Sequence, residues 1–257
     1  MHKRLFRIFK EMIITSKNNP LIKETALLKD KKGRKMHGSF LVEGIKMSRE
    51  VEKSELLIER VFIMETLAQT IAFPQEKTVV VSEAVMRCLS DEKTPQGVIC
   101  RVRLPKRELV SPKGACIVLD GVADPGNVGT IIRTANAAGY DEIYLTDDCA
   151  DAYAPKSVRA SMSGIFFTKP YIAPREKIVA ILQDTPIVIA DMQGENVFHF
   201  NPPSKFALVI GNEANGVSLA LKNAAQCTVK IPMRKTQESL NAAVSAGILM
   251  YQLKKEL

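Results

Sequence analysis

Leu119-Asp120-Gly121-Val122-Ala123-Asp124-Pro125-Gly126-Asn127-Val128-Gly129-Thr130-Ile131-Ile132-Arg133-Thr134-Ala135-Asn136 reads as the end of a strand, a glycine-punctuated turn and a helix carrying one arginine. The apolar run from Ala115 to Leu119, bounded by Gly114 and Asp120, suits a strand buried on both faces of a parallel α/β sheet. Asp124 ahead of Pro125 predicts an N-cap followed by proline at the first helical position. Val128, Ile131, Ile132 and Ala135 then recur at helical spacing, and Gly139 ends the helix. Open α/β sheets bind ligands just beyond the carboxyl ends of their strands, where the free N–H groups of a helix N-terminus favour anions.

Arg133 lies off the apolar stripe of this helix and points outward. Asn127 stands six residues before it, roughly 120° away around an ideal helix. The two share a site only if Asn127 belongs to the turn preceding the helix and meets the arginine from the loop side, and this is the expected arrangement. Taken alone, the segment also fits a tight strand-to-helix connection with one solvated charge. The chain holds no G-x-G-x-x-G and no G-x-x-x-x-G-K-[ST], so dinucleotide and nucleoside-triphosphate chemistry have little support.

Two later segments complete a set. Phe206 to Ile210 is another buried-strand pattern, followed at once by Gly211-Asn212-Glu213-Ala214-Asn215-Gly216-Val217, a loop able to approach a ligand closely; by itself Glu213 is equally a surface carboxylate in a turn. Cys227 to Ile231 reads as a strand broken by Pro232, and a helix is predicted from about Ser239 to Leu253 with Leu240, Val244, Ile248 and Tyr251 as its buried stripe. Ser239 fits an N-cap, and Asn241 a first-turn polar residue. Between these segments, Ala154 to Gly164 carries Lys156 and Arg159 among small residues ahead of a predicted strand, Ile165-Phe166-Phe167. Lys156 and Arg159 read equally as phosphate contacts or as a solvated basic turn.

In order and spacing, the three segments resemble the signature segments of the SpoU/TrmH-like 2′-O-ribose RNA methyltransferases of the SPOUT class. The resemblance implies an α/β domain in which the carboxyl-terminal helix follows a strand threaded through a loop as a trefoil knot, a topology otherwise nearly absent from proteins. It implies S-adenosylmethionine as methyl donor, held by the loops at Gly211, Ile231 and Leu240, and a homodimer with the site at its twofold interface. The active-site positions it assigns are Asn127, Arg133, Glu213, Ser239 and Asn241. A guanidinium stays protonated and is a poor base, so Arg133 is assigned to clamping a phosphate and stabilising negative charge. No metal is implied.

Charge divides the chain. Residues 1–113 carry 23 Lys/Arg and 14 Asp/Glu, a net of +9, and the remainder a net of −1. That asymmetry is expected if one domain grips a polyanion and the other performs chemistry. The densest basic run, Lys29-Asp30-Lys31-Lys32-Gly33-Arg34-Lys35, makes Lys31, Lys32, Arg34 and Lys35 the expected RNA contacts, with a solvated charge run as the alternative. Its surroundings, Ile14 to Pro20, Phe40 to Lys46 and Thr94 to Val98, resemble the small α/β substrate-binding domain, shared with some ribosomal proteins, that precedes many SpoU-type catalytic domains. The expected division is an RNA-binding domain over 1–104, a linker over 105–113 punctuated by Pro105 and Pro112, and a methyltransferase domain over 114–257. Residues 1–11 read as an extension, a misassigned start or a basic arm, with a mitochondrial presequence as a minor alternative.

Cysteines at 88, 100, 116, 149 and 227 form no C-x-x-C pair, and His2, His37 and His199 are too dispersed for a metal motif; reduced thiols in a cytoplasmic protein are the simpler reading. Nothing in the sequence approaches a membrane-spanning run. The function these features imply is methylation of a ribose 2′-hydroxyl in structured RNA, with large-subunit ribosomal RNA as the first choice. The alternatives are the same reaction on tRNA, or a non-catalytic RNA-binding or ribosome-assembly protein on the same fold.

Overall fold

The computed structural model describes residues 13–254, so the expectations for residues 1–11 lie outside the described residues. The chain divides into two compact units, the first running to Pro105 and taking in Tyr153–Pro155, the second comprising Lys106–Ala152 and the residues from Lys156 onward.

The first unit runs α1 (Pro20–Ala26), a 3₁₀ turn (Leu27–Lys29), α2 (Lys31–His37), β1 (Ser39–Glu43), α3 (Ile45–Glu52), β2 (Ile58–Met64), β3 (Thr78–Val81), α4 (Glu83–Leu89) and β4 (Val98–Arg103). Its sheet has the order β1-β4-β2-β3, with β4 antiparallel to both neighbours and β2 parallel to β3. Ile22, Leu28, Phe62, Val85, Met86 and Ile99 are fully buried together between helices and sheet. Asn19 caps α1 by accepting from the Leu21 N–H at 2.9 Å, ahead of Pro20 at the first helical position.

The second unit alternates strand and helix: β5 (Cys116–Asp120), α5 (Pro125–Ala137), β6 (Ile143–Thr146), α6 (Pro155–Ser161), α7 (Gly164–Phe167), β7 (Tyr171–Ala173), α8 (Arg175–Ile181), β8 (Ile187–Asn196), β9 (Ala207–Gly211), α9 (Leu219–Ala224), β10 (Cys227–Lys230) and α10 (Ala242–Leu253). Its six strands are parallel throughout, in the order β10-β8-β9-β5-β6-β7. Both faces are covered, which is why β5, β6 and the first four residues of β9 are wholly buried, apolar except for the closing Asp120 and Thr146. The chain starts at β5, moves outward through β6 and β7, then crosses to β8 and β9 on the other side. The point where the order reverses lies between β5 and β9, where parallel sheets place their ligands. Asp120 pairs with Gly211, so these two strands end level and their following loops lie side by side.

Local chemistry fixes α5 as the sequence predicts. Asp124 accepts from the Asn127 N–H at 2.9 Å, a cap worth about 1 kcal/mol. At the far end Gly139 (φ +71°) donates to the Asn136 carbonyl and Tyr140 to that of Ala135, the paired bonds of a Schellman stop.

Two expectations change. Ile165-Phe166-Phe167 lies in the short helix α7, and the next strand is Tyr171–Ala173; a short apolar run does not distinguish a buried helical turn from a strand. The carboxyl-terminal helix begins at Ala242, capped by Asn241 and not by Ser239, and it buries Ala242, Ala243, Ala246, Leu249, Met250 and Leu253. Val244 and Tyr251 are instead about half exposed, at 51% and 54%. The sequence AAVSAGILMYQL is apolar nearly all round, so periodicity alone does not choose the inward face.

Candidate active site

Three loops converge at the carboxyl ends of β5 and β9. Glu213, just past β9, has its carboxylate held by the backbone N–H groups of Ala123 (3.0 Å) and Asp124 (3.3 Å) and by the Asn127 side-chain amide (2.8 Å). Asn127 in turn accepts from the Asn241 amide at 3.0 Å. The Asn241 oxygen accepts from the Ala243 and Val244 N–H groups, capping α10. One chain of hydrogen bonds therefore runs from the start of α10 through α5 to the β9 loop, joining all three sequence segments. Burial pushes the Glu213 carboxyl up, and the hydrogen bonds from Ala123, Asn127 and Asp124 outweigh it, holding the group below its ordinary range.

Asn127 lies in the first turn of α5 rather than in the turn before it, and its side chain bonds to Glu213 and Asn241, not to Arg133. The carboxylate, arriving from a loop 86 residues away in sequence, sets the direction of this side chain. Arg133 is exposed further along the same helix and has no ion-pair partner among the described residues. Lys156, on α6, stands at the amino end of α5 with its Nζ 2.7 Å from Asp124.

A pocket opens beside this network, lined by Ile210, Gly211, Asn212, Glu213, Leu240, Asn241 and Ser245. A second, contiguous lobe adds Val229, Lys230, Ile231, Met233 and Leu249. Gly211, Ile231, Leu240 and Ser239 all line this space. Gly211 is required by close packing, since a Cβ there would stand 2.3 Å from the Gly216 carbonyl carbon. Sequence reasoning missed the wall formed by Ala190, Asp191 and Met192 of β8. The pairing of β10 with β8 jumps from Ile189 to Glu195, so five residues of β8 lack a β10 partner, and the first three of them line the pocket. The apolar run Ile187-Val188-Ile189 ending in Ala190-Asp191 was the signal for it. Apolar walls suit an adenine ring, while the hydroxyls of Ser239 and Ser245 offer polar groups to a ribose and an amino-acid tail, so the lining fits S-adenosylmethionine.

The basic run of the first unit divides. Lys31, Lys32 and Lys35 are exposed on α2. Arg34 is 4% exposed and donates to the carbonyls of Leu28 and Lys29, each at 2.7 Å. It ties α2 to the preceding 3₁₀ turn, and the expectation that it faces RNA is corrected: the carbonyls at that helix junction need a donor more than the surface needs a fourth charge.

Residues 114–251 match the SpoU rRNA Methylase family, and residues 19–100 match the MRM3-like substrate binding domain. The chain belongs to the SpoU rRNA methylase family. It is 30% identical, over 94% of its length and 98% of the relative's, to 23S rRNA (guanosine(2553)-2′-O)-methyltransferase RlmP of Bacillus subtilis. It is 31% identical to 23S rRNA (uridine(2479)-2′-O)-methyltransferase of Streptomyces viridochromogenes, over 93% of this chain and 90% of that one. Among solved structures, the AdoMet-bound rRNA methyltransferase of Sinorhizobium meliloti superposes with a TM-score of 0.84 at 28% identity, covering 93% of this chain and 95% of that one. As a family member the protein has the α/β methyltransferase fold with an amino-terminal substrate-binding domain. Among the described residues no group of His, Cys, Asp and Glu is arranged to hold a metal, and no helix is long and apolar enough to cross a membrane.

Proposed function

We propose that this chain transfers a methyl group from S-adenosylmethionine to a ribose 2′-hydroxyl of large-subunit ribosomal RNA. The observation that carries the proposal is the hydrogen-bonded chain Asn241–Asn127–Glu213 beside a pocket lined by the motif positions Gly211, Ile231, Leu240 and Ser239. Both relatives described above are named as 23S rRNA 2′-O-methyltransferases. When bound, the donor supplies an electrophilic methyl carbon on a sulfonium. Catalysis then depends chiefly on aligning the hydroxyl behind that carbon. Asn127, Glu213 and Asn241 hold the loops that form the receptor, Ser239 offers a hydroxyl at its rim, and Arg133 clamps the target nucleotide's phosphate and stabilises developing negative charge.

In this reading the first unit, up to about residue 104, grips RNA through Lys31, Lys32 and Lys35, residues 105–113 link the units, and the second unit does the chemistry. The protein works as a cytoplasmic homodimer. Support for the dimer comes from α10, which leaves Val244 and Tyr251 exposed on a helix with hardly any polar face. Family membership carries the expectation of the trefoil knot. Calorimetry tests the donor assignment: the protein should bind S-adenosylmethionine and not NAD or ATP. Methyl transfer to ribosomal RNA should yield 2′-O-methylnucleosides on digestion; NAD or ATP binding without methyl transfer would overturn the proposal.

A further inference from the structure

Asp120 closes β5 and is 1% exposed. A buried carboxylate persists only where its oxygens are paired. Here Oδ1 accepts from Arg175 Nε at 2.6 Å, and Oδ2 accepts from the Ser218 backbone N–H at 2.6 Å. Arg175, the first residue of α8, also donates through Nη2 to Asp148 at 2.5 Å. The other oxygen of Asp148 accepts from Thr146 Oγ1 at 2.5 Å, and Thr146 Oγ1 itself accepts from the Gly121 N–H at 2.8 Å. Burial pushes the Asp148 carboxyl up, and the bonds from Thr146 and Arg175 outweigh it, so the group remains an anion.

None of these charged groups lines the pocket or touches the Asn241–Asn127–Glu213 chain. Asp120 is the member that reaches the loop between β9 and α9, and Arg175 acts on that loop through it. Asn212, where the loop begins, donates its side-chain amide to the Gly121 carbonyl at 2.7 Å. Ser218, where it ends, is the residue held by Asp120. Inside the loop Asn212 and Gly216 exchange backbone hydrogen bonds of 3.0 and 2.9 Å. Both ends are thus tied to Asp120 and Gly121, the residues just ahead of the Ala123 and Asp124 N–H groups that receive Glu213.

We infer that Asp120 and Arg175 are positioning residues for methyl transfer: through Ser218 they fix the 212–218 loop against the 121–124 turn, so that Glu213 reaches Asn127 and the donor pocket keeps its Gly211–Gly216 wall. The inference deepens the proposed function and rests on it. A pair that served stability alone would lower the melting temperature and leave the rate per folded molecule unchanged.

The test uses the full chain as wild type, Arg175→Met, Arg175→Lys, Glu213→Gln and the double variant Arg175→Met/Glu213→Gln. Single-turnover methyl transfer, S-adenosylmethionine affinity and hydrogen exchange at the Gly216 and Ser218 amides are measured on each. Arg175→Met should slow transfer by at least about tenfold, the order expected when a reacting geometry shifts by a fraction of an ångström. It should weaken donor binding several-fold and speed exchange at both amides while leaving RNA affinity unchanged. Arg175→Lys, keeping the charge but reaching one carboxylate at a time, should recover part of the rate. The double variant should be no slower than the slower single variant, because both changes remove the same positioned carboxylate. Wild-type rate and wild-type exchange in Arg175→Met, or losses that multiply in the double variant, would overturn the inference. If Arg175→Met does not fold, Arg175→Lys and Asp148→Asn are measured by the same readouts and decide the matter in the same way. If the wild type itself neither binds S-adenosylmethionine nor methylates RNA, the proposed function fails, while the exchange measurement, which needs no ligand, still decides whether Arg175 holds the loop.

Discussion

The exposed face of α2 in the first unit and the strand ends of the second use their polar side chains in opposite ways. On α2 of the first unit, Lys31, Lys32 and Lys35 are exposed and available to a polyanion. At the strand ends of the second unit, Asn127, Glu213, Asn241, Asp120 and Arg175 are occupied by one another. Mobile lysines supply affinity that depends on charge and tolerates imprecise geometry. Interlocked amides and carboxylates supply little affinity for RNA but hold loops to within a fraction of an ångström, which methyl transfer requires. Arg133 stands between the two regimes, an exposed cation without an ion-pair partner among the described residues, placed on the helix that carries Asn127.

The contrast breaks most visibly at Arg133. Arg133→Ala should reduce methyl transfer by about 10²–10³-fold, the usual effect of deleting a group that stabilises developing charge. Its melting temperature and donor affinity should stay near wild type, since the side chain is exposed. Turnover at the wild-type rate on the native RNA would remove the residue from the site.

A smaller, two-part effect is expected at Asn241. Asn241→Ala deletes both the link to Asn127 and the cap of α10, so it should slow turnover and also destabilise the fold by about 1 kcal/mol. A rate loss without a stability loss would separate the link from the cap.

The basic run sharpens the comparison within the first unit. Replacing Lys31, Lys32 and Lys35 with alanine should weaken RNA binding and flatten its salt dependence, by roughly 0.7 in slope for each single-strand phosphate that is no longer neutralised, with donor affinity unchanged. Arg34→Ala should instead cost about 1–3 kcal/mol of stability, because a buried and a half-buried carbonyl lose their donor, with an unchanged salt slope. Equal salt slopes for the triple variant and wild type would return the run to a merely solvated one.

The smallest effect concerns pH. The folded state holds Glu213 below its ordinary value of 4.5, so the stabilising contribution of its carboxylate is complete above that value and is lost as pH falls through the lower folded one. Between pH 6 and 8 the loop should therefore show no titration from this group. A melting temperature that Glu213→Gln leaves equally unchanged at pH 7 and at pH 4 would count against the ionic form of the contact.

What the sequence made legible was local. The strand, cap and helix from Cys116 to Ala137 are written in adjacent residues, Asp124, Pro125 and the terminating Gly139, and the structure has them where they are read. What stayed hidden depends on partners distant in sequence. Asn127 turns toward a carboxylate 86 positions later, and Asp120 is matched to an arginine 55 positions later. Arg34 reads in the sequence as one more RNA-facing charge of the basic run, because the two carbonyls that the preceding 3₁₀ turn presents to it are visible only in the fold. The inward face of α10 is not legible in the sequence because its composition offers almost no polar contrast. The three signature segments could be recognised separately; that Asn127 joins the other two by direct hydrogen bonds emerges only from the fold.

The most direct test of the central claim is a map of ribose methylation in large-subunit ribosomal RNA. RNA lacking the modification is incubated with S-adenosylmethionine and either the wild-type protein or Arg133→Ala, then cleaved in alkali. With the wild type, one nucleotide should become resistant to cleavage on its 3′ side, the mark of a 2′-O-methyl group, and with Arg133→Ala that resistance should be lost. Methyl label appearing on a base, or no site of resistance with the wild-type protein on any ribosomal RNA, would contradict the account.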